Sequence, residues 1–147
     1  MQINQIPQNL DVRSGDKSNL RNELEAIDFV YQKANGQGFK AFNYIPSVYD
    51  FPYQYLYWWY GLNKYGYQPT VSSYLENVPE YIQNNTAFIT NKKSLAANYP
   101  TFLIIETDSE MPIRQYAWLG NFTKLCQLES KIFTWGTEVK MLNNCQK

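Results

Sequence analysis

Thr101-Phe102-Leu103-Ile104-Ile105-Glu106 is the stretch from which the fold is read. A strand with one wet face alternates apolar and polar residues, and this one does not. A helix would need a longer periodic run. A short, continuous apolar stretch rich in β-branched residues is the pattern of a strand covered on both sides. A central strand with helices above and below it is therefore expected here.

On the C-terminal side, Asp108 or Ser109 can cap a helix that starts near Pro112 and ends near Gly120, with Ile113, Tyr116, Ala117 and Phe122 toward the core. The tail, Leu125–Leu142, reads as a hairpin turning at Trp135-Gly136. On the N-terminal side, Phe39–Ile45 reads as a strand ended by Pro46. Before it, Leu20, Leu24, Ile27, Val30, Tyr31 and Ala34 form a helical stripe, capped by Ser18 or Asn19 and stopped by Gly36 and Gly38. Asp50 can cap, and Pro52 fits the first turn of, a helix from Tyr53 to about Lys64 that closes near Tyr65-Gly66. Residues 70–100 are broken by Pro79, Asn84, Asn85, Asn98 and Pro100, with short helices expected near Val78–Gln83 and Leu95. Residues 1–18 are polar and read as an arm or linker. The class is α/β (α+β): one globular domain over 19–147, a small mixed sheet of about four strands with about three helices packed on it, and a C-terminal hairpin.

Composition bounds the chemistry. The 147 residues carry 13 Lys+Arg, 13 Asp+Glu and no histidine. A chain of this length buries about two-thirds of its unfolded surface, so it needs no metal or disulfide staple to fold. Zero net charge leaves no basic excess to drive nucleic-acid binding. Without imidazole there is no Ser-His-Asp triad, no Cys-His pair and no His-ligated zinc, and two cysteines cannot make a four-cysteine site. No cofactor or metal is expected. The first twenty residues lack the apolar core of a signal peptide, and no apolar run is long enough to cross a bilayer. Met1 opens either a gene product of its own or a piece of a larger protein.

A two-residue turn at Trp135-Gly136 would pair Thr134 with Thr137 and set Cys126 opposite Cys145, within disulfide reach. The alternative is two free thiols. A bridge would imply an oxidising compartment. Two Asn-x-Thr sequons, at Asn84 and Asn121, fit that compartment but arise easily by chance in an Asn-rich chain.

The chain is 17% aromatic. Tyr49 to Tyr67 holds ten of these rings. On a helix, Tyr53, Leu56, Tyr57 and Tyr60 share one face, and Tyr55, Trp58, Trp59 and Leu62 another. Three readings are open. The helix is sandwiched, with the polar tips of its rings satisfied. One face lies on a bilayer surface or a membrane-embedded partner. Or Tyr55, Trp58, Trp59, Tyr65 and Tyr67 form a platform on which a saccharide stacks. Nucleic-acid stacking would need a basic groove, and the segment carries only Lys64.

Acid–base chemistry would fall to carboxylates, tyrosines or lysines. Glu106 and Asp108 end the central strand, where ligands collect in open α/β sheets. Asp50 with Glu106 could serve glycoside hydrolysis. The simpler reading makes Asp108 a helix cap. Gly36-Gln37-Gly38 precedes a strand, the wrong context for a phosphate-binding loop.

The run Ala26-Ile27-Asp28-Phe29-Val30-Tyr31-Gln32-Lys33-Ala34, a strand ending in Ile45-Pro46, then Tyr49-Asp50-Phe51-Pro52-Tyr53-Gln54-Tyr55-Leu56-Tyr57-Trp58-Trp59-Tyr60-Gly61 and Lys64-Tyr65-Gly66-Tyr67-Gln68-Pro69 resembles a recurring domain. That domain is the soluble C-terminal tail of bacterial integral-membrane glycosyltransferases similar to the protein mannosyltransferase and aminoarabinose transferase group. The resemblance spans about residues 24–142. It implies an extracytoplasmic, non-catalytic domain tethered to a polyprenyl-phosphate-sugar-dependent enzyme, in the periplasm or on the outer face of the cytoplasmic membrane. Its partners would be the membrane part or bilayer surface, or a glycan or protein acceptor. It also favours the Cys126–Cys145 bridge. The family's catalytic acid lies in a membrane-proximal loop that has no counterpart here, so no catalytic residue carries over. Residues 72–98 are longer than the family pattern and read as an insertion. The alternatives are a self-standing carbohydrate-binding module of a secreted or cell-surface protein and a small carboxylate-dependent glycan hydrolase.

Overall fold

The structure, a computed structural model, describes residues 19–47, 50–82 and 88–146. The expected arm at 1–18, the sequon at Asn84 and residues Tyr49 and Gln83 lie outside that set.

Helix α1 spans Leu20–Ala34. Asn19 caps it, its side chain accepting from the Arg21 N–H at 2.9 Å. At the other end Asn35, rather than a glycine, takes the left-handed cap at φ 49°, and its N–H donates to the Tyr31 carbonyl. Strand β1 (Lys40–Tyr44) follows. A second helical run begins two residues earlier than the sequence suggests. It comprises α2 (Phe51–Leu56), a π-helical turn (Tyr57–Gly61) and α3 (Leu62–Tyr65), and ends at Gly66 with φ 82°. Then come β2 (Val71–Ser73), β3 (Thr101–Ile105), α4 (Pro112–Leu119) with a 3-10 turn (Gly120–Phe122), β4 (Leu125–Ile132) and β5 (Glu138–Asn144).

The five strands form one mixed sheet in the order β2-β1-β3-β5-β4. β2, β1 and β3 run parallel, while β5 is antiparallel to both β3 and β4. The fifth strand, β2, is a three-residue Val-Ser-Ser piece, too short and polar to show an alternation. β3 is central, and all five of its residues are buried. Its side chains alternate between two cores. Phe102 and Ile104 join Leu24, Ile27, Val30, Tyr53 and Tyr57 under α1 and α2. Leu103 and Ile105 join Phe42, Tyr44, Trp118 and Phe122 under α4. The doubly covered strand is therefore present.

Three expectations are corrected. No helix forms near Val78 or Leu95 among the described residues. The chain there runs irregularly, held by a parallel bridge between Gln68 and Lys92 and by Thr70 Oγ1 donating to the Lys93 carbonyl. Helix α4 turns its other face inward: Trp118 is buried, while Ile113 and Tyr116 are 77% and 79% exposed and Ala117 is also exposed. The hairpin turns through Thr134-Trp135-Gly136, with Gly136 at φ 93° and its N–H on the Phe133 carbonyl. This is a three-residue loop in which a glycine supplies the left-handed step. It pairs Phe133 with Thr137, and a bulge at Gln127/Glu129 shifts the ladder again, so Asn143 lies opposite Cys126. The disulfide forms nonetheless. Cys145 lies just past the end of β5, outside the ladder, with its Cα 4.9 Å from that of Cys126.

Candidate functional site

The three candidate carboxylates sit where β1 and β3 end, and each is spent on structure. Strand alternation separates them. Asn43 and Tyr44 are neighbours on β1 and point to opposite faces of the sheet. Asn43 Nδ2 donates to Asp50 Oδ2 at 3.4 Å on the α2 side, where Gln54 Nε2 donates to Asp50 Oδ1 at 2.8 Å. Tyr44 donates its hydroxyl to Asp108 Oδ2 at 2.7 Å on the α4 side. Asp50 and Asp108 are therefore divided by the sheet. Asp50 occupies the cap position of α2 but makes no side-chain cap bond. Its carboxylate turns inward, and burial pushes it up to about 6, against the pull of the Gln54 and Asn43 hydrogen bonds.

Glu106, on the α2 side, accepts the Tyr53 hydroxyl at 3.0 Å, and both residues are buried. Neither Asp108 nor Ser109 is the cap of α4 that the sequence suggests. Met111 holds the cap position of α4, and its N–H donates to Asp108 Oδ1 at 2.9 Å. Arg114 donates from both Nε and Nη2 to Asp108 Oδ2. The Met111 N–H, the Tyr44 hydroxyl and Arg114 hold the Asp108 carboxyl down at about 2. Among the described residues no group of three or more carboxylates or thiols is close enough to hold a metal ion.

The aromatic candidates divide into two sets. Tyr65 stacks flat on Tyr31 with centroids 4.2 Å apart, and its hydroxyl donates to Asp28 at 2.6 Å. Tyr67 is buried edge-on to Tyr31 and Phe39, with the Lys93 ammonium 4.1 Å from its centroid. Tyr67 is thus a packing element, while Tyr65, half-buried, has one ring face taken by Tyr31 and its hydroxyl taken by Asp28. Tyr55, Trp58 and Trp59 are different. Tyr55 is 48% exposed, and its ring lies near both indoles, 5.5 Å from Trp58 and 6.4 Å from Trp59. Trp58 is fixed by its Nε1–H on the Ile89 carbonyl at 3.0 Å and by the edge of Phe88. Trp59 leans on the core and, with Leu20, Glu23, Pro52, Tyr55 and Leu56, lines an open groove of about 300 Å³.

The division follows the helical period, and a π turn lies within the run. The Leu62 N–H reaches the Tyr57 carbonyl five residues back, which widens the turn. Tyr53, Leu56, Tyr57 and Tyr60 stay buried, and Tyr55, Trp58 and Trp59 face outward or half-outward. The segment expected as an insertion backs this face through Phe88 and Ile89.

A second cleft, of about 310 Å³, was not legible in the sequence. It lies over the other face of the sheet between Lys40, Phe42, Glu76, Tyr99, Asn121 and Phe122. Its polar groups already serve one another. Lys40 pairs with Glu76 at 2.8 Å, and the Asn121 amide donates to the Trp118 carbonyl at 2.8 Å. No run of residue types marks it, because its lining comes from four separate segments.

No helix among the described residues is long and apolar enough to cross a membrane. Compared with known proteins, the chain matches no family, no characterised protein and no solved structure.

Proposed function

We propose that this chain is a non-catalytic, extracytoplasmic domain of a membrane glycosyltransferase that uses a polyprenyl-phosphate sugar, and that it lies on the bilayer surface beside the membrane part of its parent enzyme through the groove of Pro52, Tyr55 and Trp59. The observation that carries this reading is the groove's place. Leu20, the first residue of α1, is one of its walls. A tether from a membrane bundle would enter the domain at Asn19, directly beside it. Among the described residues the lining is apolar and aromatic, with Glu23 its one charged side chain. Tyr and Trp are the side chains that favour the boundary between headgroups and hydrocarbon. A saccharide would want more hydrogen-bonding groups around the rings than this groove offers. The Cys126–Cys145 bridge suits an oxidising compartment outside the cytoplasm. The enclosed state of Asp50, Glu106 and Asp108 argues against the hydrolase alternative.

The test is flotation of the 147-residue chain with phosphatidylcholine and phosphatidylglycerol vesicles, alongside tryptophan emission. Binding with a blue shift is expected, weakened about tenfold or more in Trp59→Ser, since burying a large apolar side chain contributes about 1.5–3 kcal/mol. No flotation with either lipid, or flotation unchanged in a folded Trp59→Ser, overturns the docking reading. Saturable quenching by a saccharide in place of vesicles, lost in Trp58→Ala or Trp59→Ala, would select the carbohydrate-binding module instead.

A further inference from the structure

We propose that the outer edge of β4 is a self-complementary interface through which two copies of this chain join their sheets. The inference rests on the strand and is independent of the membrane reading. β4 is the last strand in the sheet, and its outward edge has no ladder partner among the described residues. It is eight residues long, yet none of its side chains is fully buried. A strand that contributes so little to the core is nonetheless stapled to β5 by the disulfide at Cys126. Leu128 and Ile132 stand 59% and 72% exposed on it. An edge of this length with bare apolar side chains is a template for pairing with another strand.

The sequence of the edge specifies which strand. Consider β4 lying antiparallel to itself about a two-fold axis at Ser130. Glu129 then faces Lys131 of the second copy, and Lys131 faces Glu129 of the second copy. Leu128 and Ile132 face each other twice, and Ser130 faces Ser130. Every charge meets its opposite, and every exposed apolar residue meets another. Opposed residues on paired strands lie on one face. Glu129 and Lys131 do share a face: Glu129 pairs with Lys33 of α1 at 2.7 Å, and Lys131 lies over the rings of Phe29 and Phe133 at 5.1 and 4.6 Å. In the dimer each Glu129 would lie between Lys33 of its own chain and Lys131 of the other. Both devices that usually blunt an edge are present but ineffective here. The edge lysine meets a glutamate rather than a second lysine, and the bulge, whose extra residue is Leu128, leaves 129–132 regular, so the regular pairs are those of 129–131 and the Leu128–Ile132 contacts flank them. The pairing joins the two sheets into one of ten strands, with both α1 helices on the same side.

A window of about five residues is a small interface, so the association is weak and is read at high concentration. Sedimentation velocity of the full chain up to about 1 mM is expected to show a reversible monomer–dimer equilibrium. Glu129→Lys or Lys131→Glu alone places like charges opposite each other twice and should raise the dissociation constant about tenfold, and the double exchange should restore it. Because Lys131 also packs on Phe29 and Phe133, circular dichroism accompanies each variant. Under mild oxidation Ser130→Cys should give a covalent dimer, and Thr134→Cys, outside the paired window, should not. A wild-type chain that stays monomeric throughout overturns the proposal. So do equal cross-linking at both positions and a folded double exchange that fails to recover.

Discussion

Gly61 shows how one residue sets a packing distance. It lies in the π turn with an ordinary helical φ of −60°, so its backbone does not require glycine. The space does. A Cβ there would collide with the hydroxyl and ring of Tyr31. Tyr31 cannot yield, because its hydroxyl donates to the Tyr67 carbonyl at 2.7 Å and its ring is flanked by Tyr65, Phe39 and Tyr67. Gly61→Ala is therefore expected to destabilise by about 1–3 kcal/mol, the usual cost of overpacking. Gly120 is the contrasting case. It has helical φ and nothing near a prospective Cβ, so Gly120→Ala should stabilise by about 0.4–1 kcal/mol through the unfolded chain. Urea midpoints of the two variants, moving in opposite directions, check both. Neither sign could be read from the sequence. Gly61 and Gly120 both sit in or beside helical runs, and only the tertiary neighbour separates them.

The C-terminal hairpin shows what the sequence reveals about an element and what it hides. The disulfide closes a loop of about 20 residues, which the chain-entropy account rates at about 3 kcal/mol. Cys126→Ser with Cys145→Ser should lower unfolding stability by about that amount. Amide exchange should quicken first along β4, where no side chain is buried deeply enough to hold the strand. Uniform acceleration across β3 and β4 would instead mean that the hairpin opens only with the whole sheet. The cysteine pairing was legible, but the register was not. The left-handed step at Gly136 adds a residue to the turn, and the bulge near Leu128 absorbs another shift. Neither leaves a mark in the pattern of residue types. Helix α4 misled in a different way. Ile113, Tyr116 and Ala117 make an apolar stripe, and so do Trp118 and Phe122. The Asp108–Arg114 pair, which ties one side of the helix to the end of β3, decides that the second stripe faces the sheet. β3 was legible because burial on both faces leaves a continuous apolar run. β2 and the irregular chain after it were not, because their order comes from bonds such as Glu80 to the Ser72 N–H and to Lys92, which follow no local period. Of the candidate site, the two faces of the aromatic helix could be read from periodicity. The fates of Tyr65 and Tyr67 depended on Tyr31, thirty or more residues away.

At the scale of the molecule, a chain without histidine has no ordinary side chain that titrates between pH 5 and 7. Asp50 enters that window because the fold buries it. Its carboxyl rises from 3.8 to about 6 on folding. Below about pH 3 it is protonated in both states. As the pH climbs toward 6 the unfolded chain gives up the proton while the native chain holds it, so ionisation favours unfolding. Above about 7 both states are ionised and the loss is complete. Two units correspond to about 3 kcal/mol of stability lost between pH 3 and 7. Asp108 has the opposite sign but does not offset this. Its carboxyl lies near 2 in the native state, so its contribution is complete above about pH 4 and is lost only as the pH falls toward 2. The site of the loss also matters. Asp50 holds Gln54, and Gln54 Oε1 accepts the Tyr81 N–H at 2.7 Å, so its ionisation is felt in the segment that crosses behind the aromatic helix. Urea unfolding at pH 4, 5, 6 and 7 should show the wild type losing about 2 kcal/mol relative to Asp50→Asn, whose side chain does not titrate. If the two stability curves run parallel, Asp50 titrates near its unfolded value and its burial does not govern the acid-range stability of this fold.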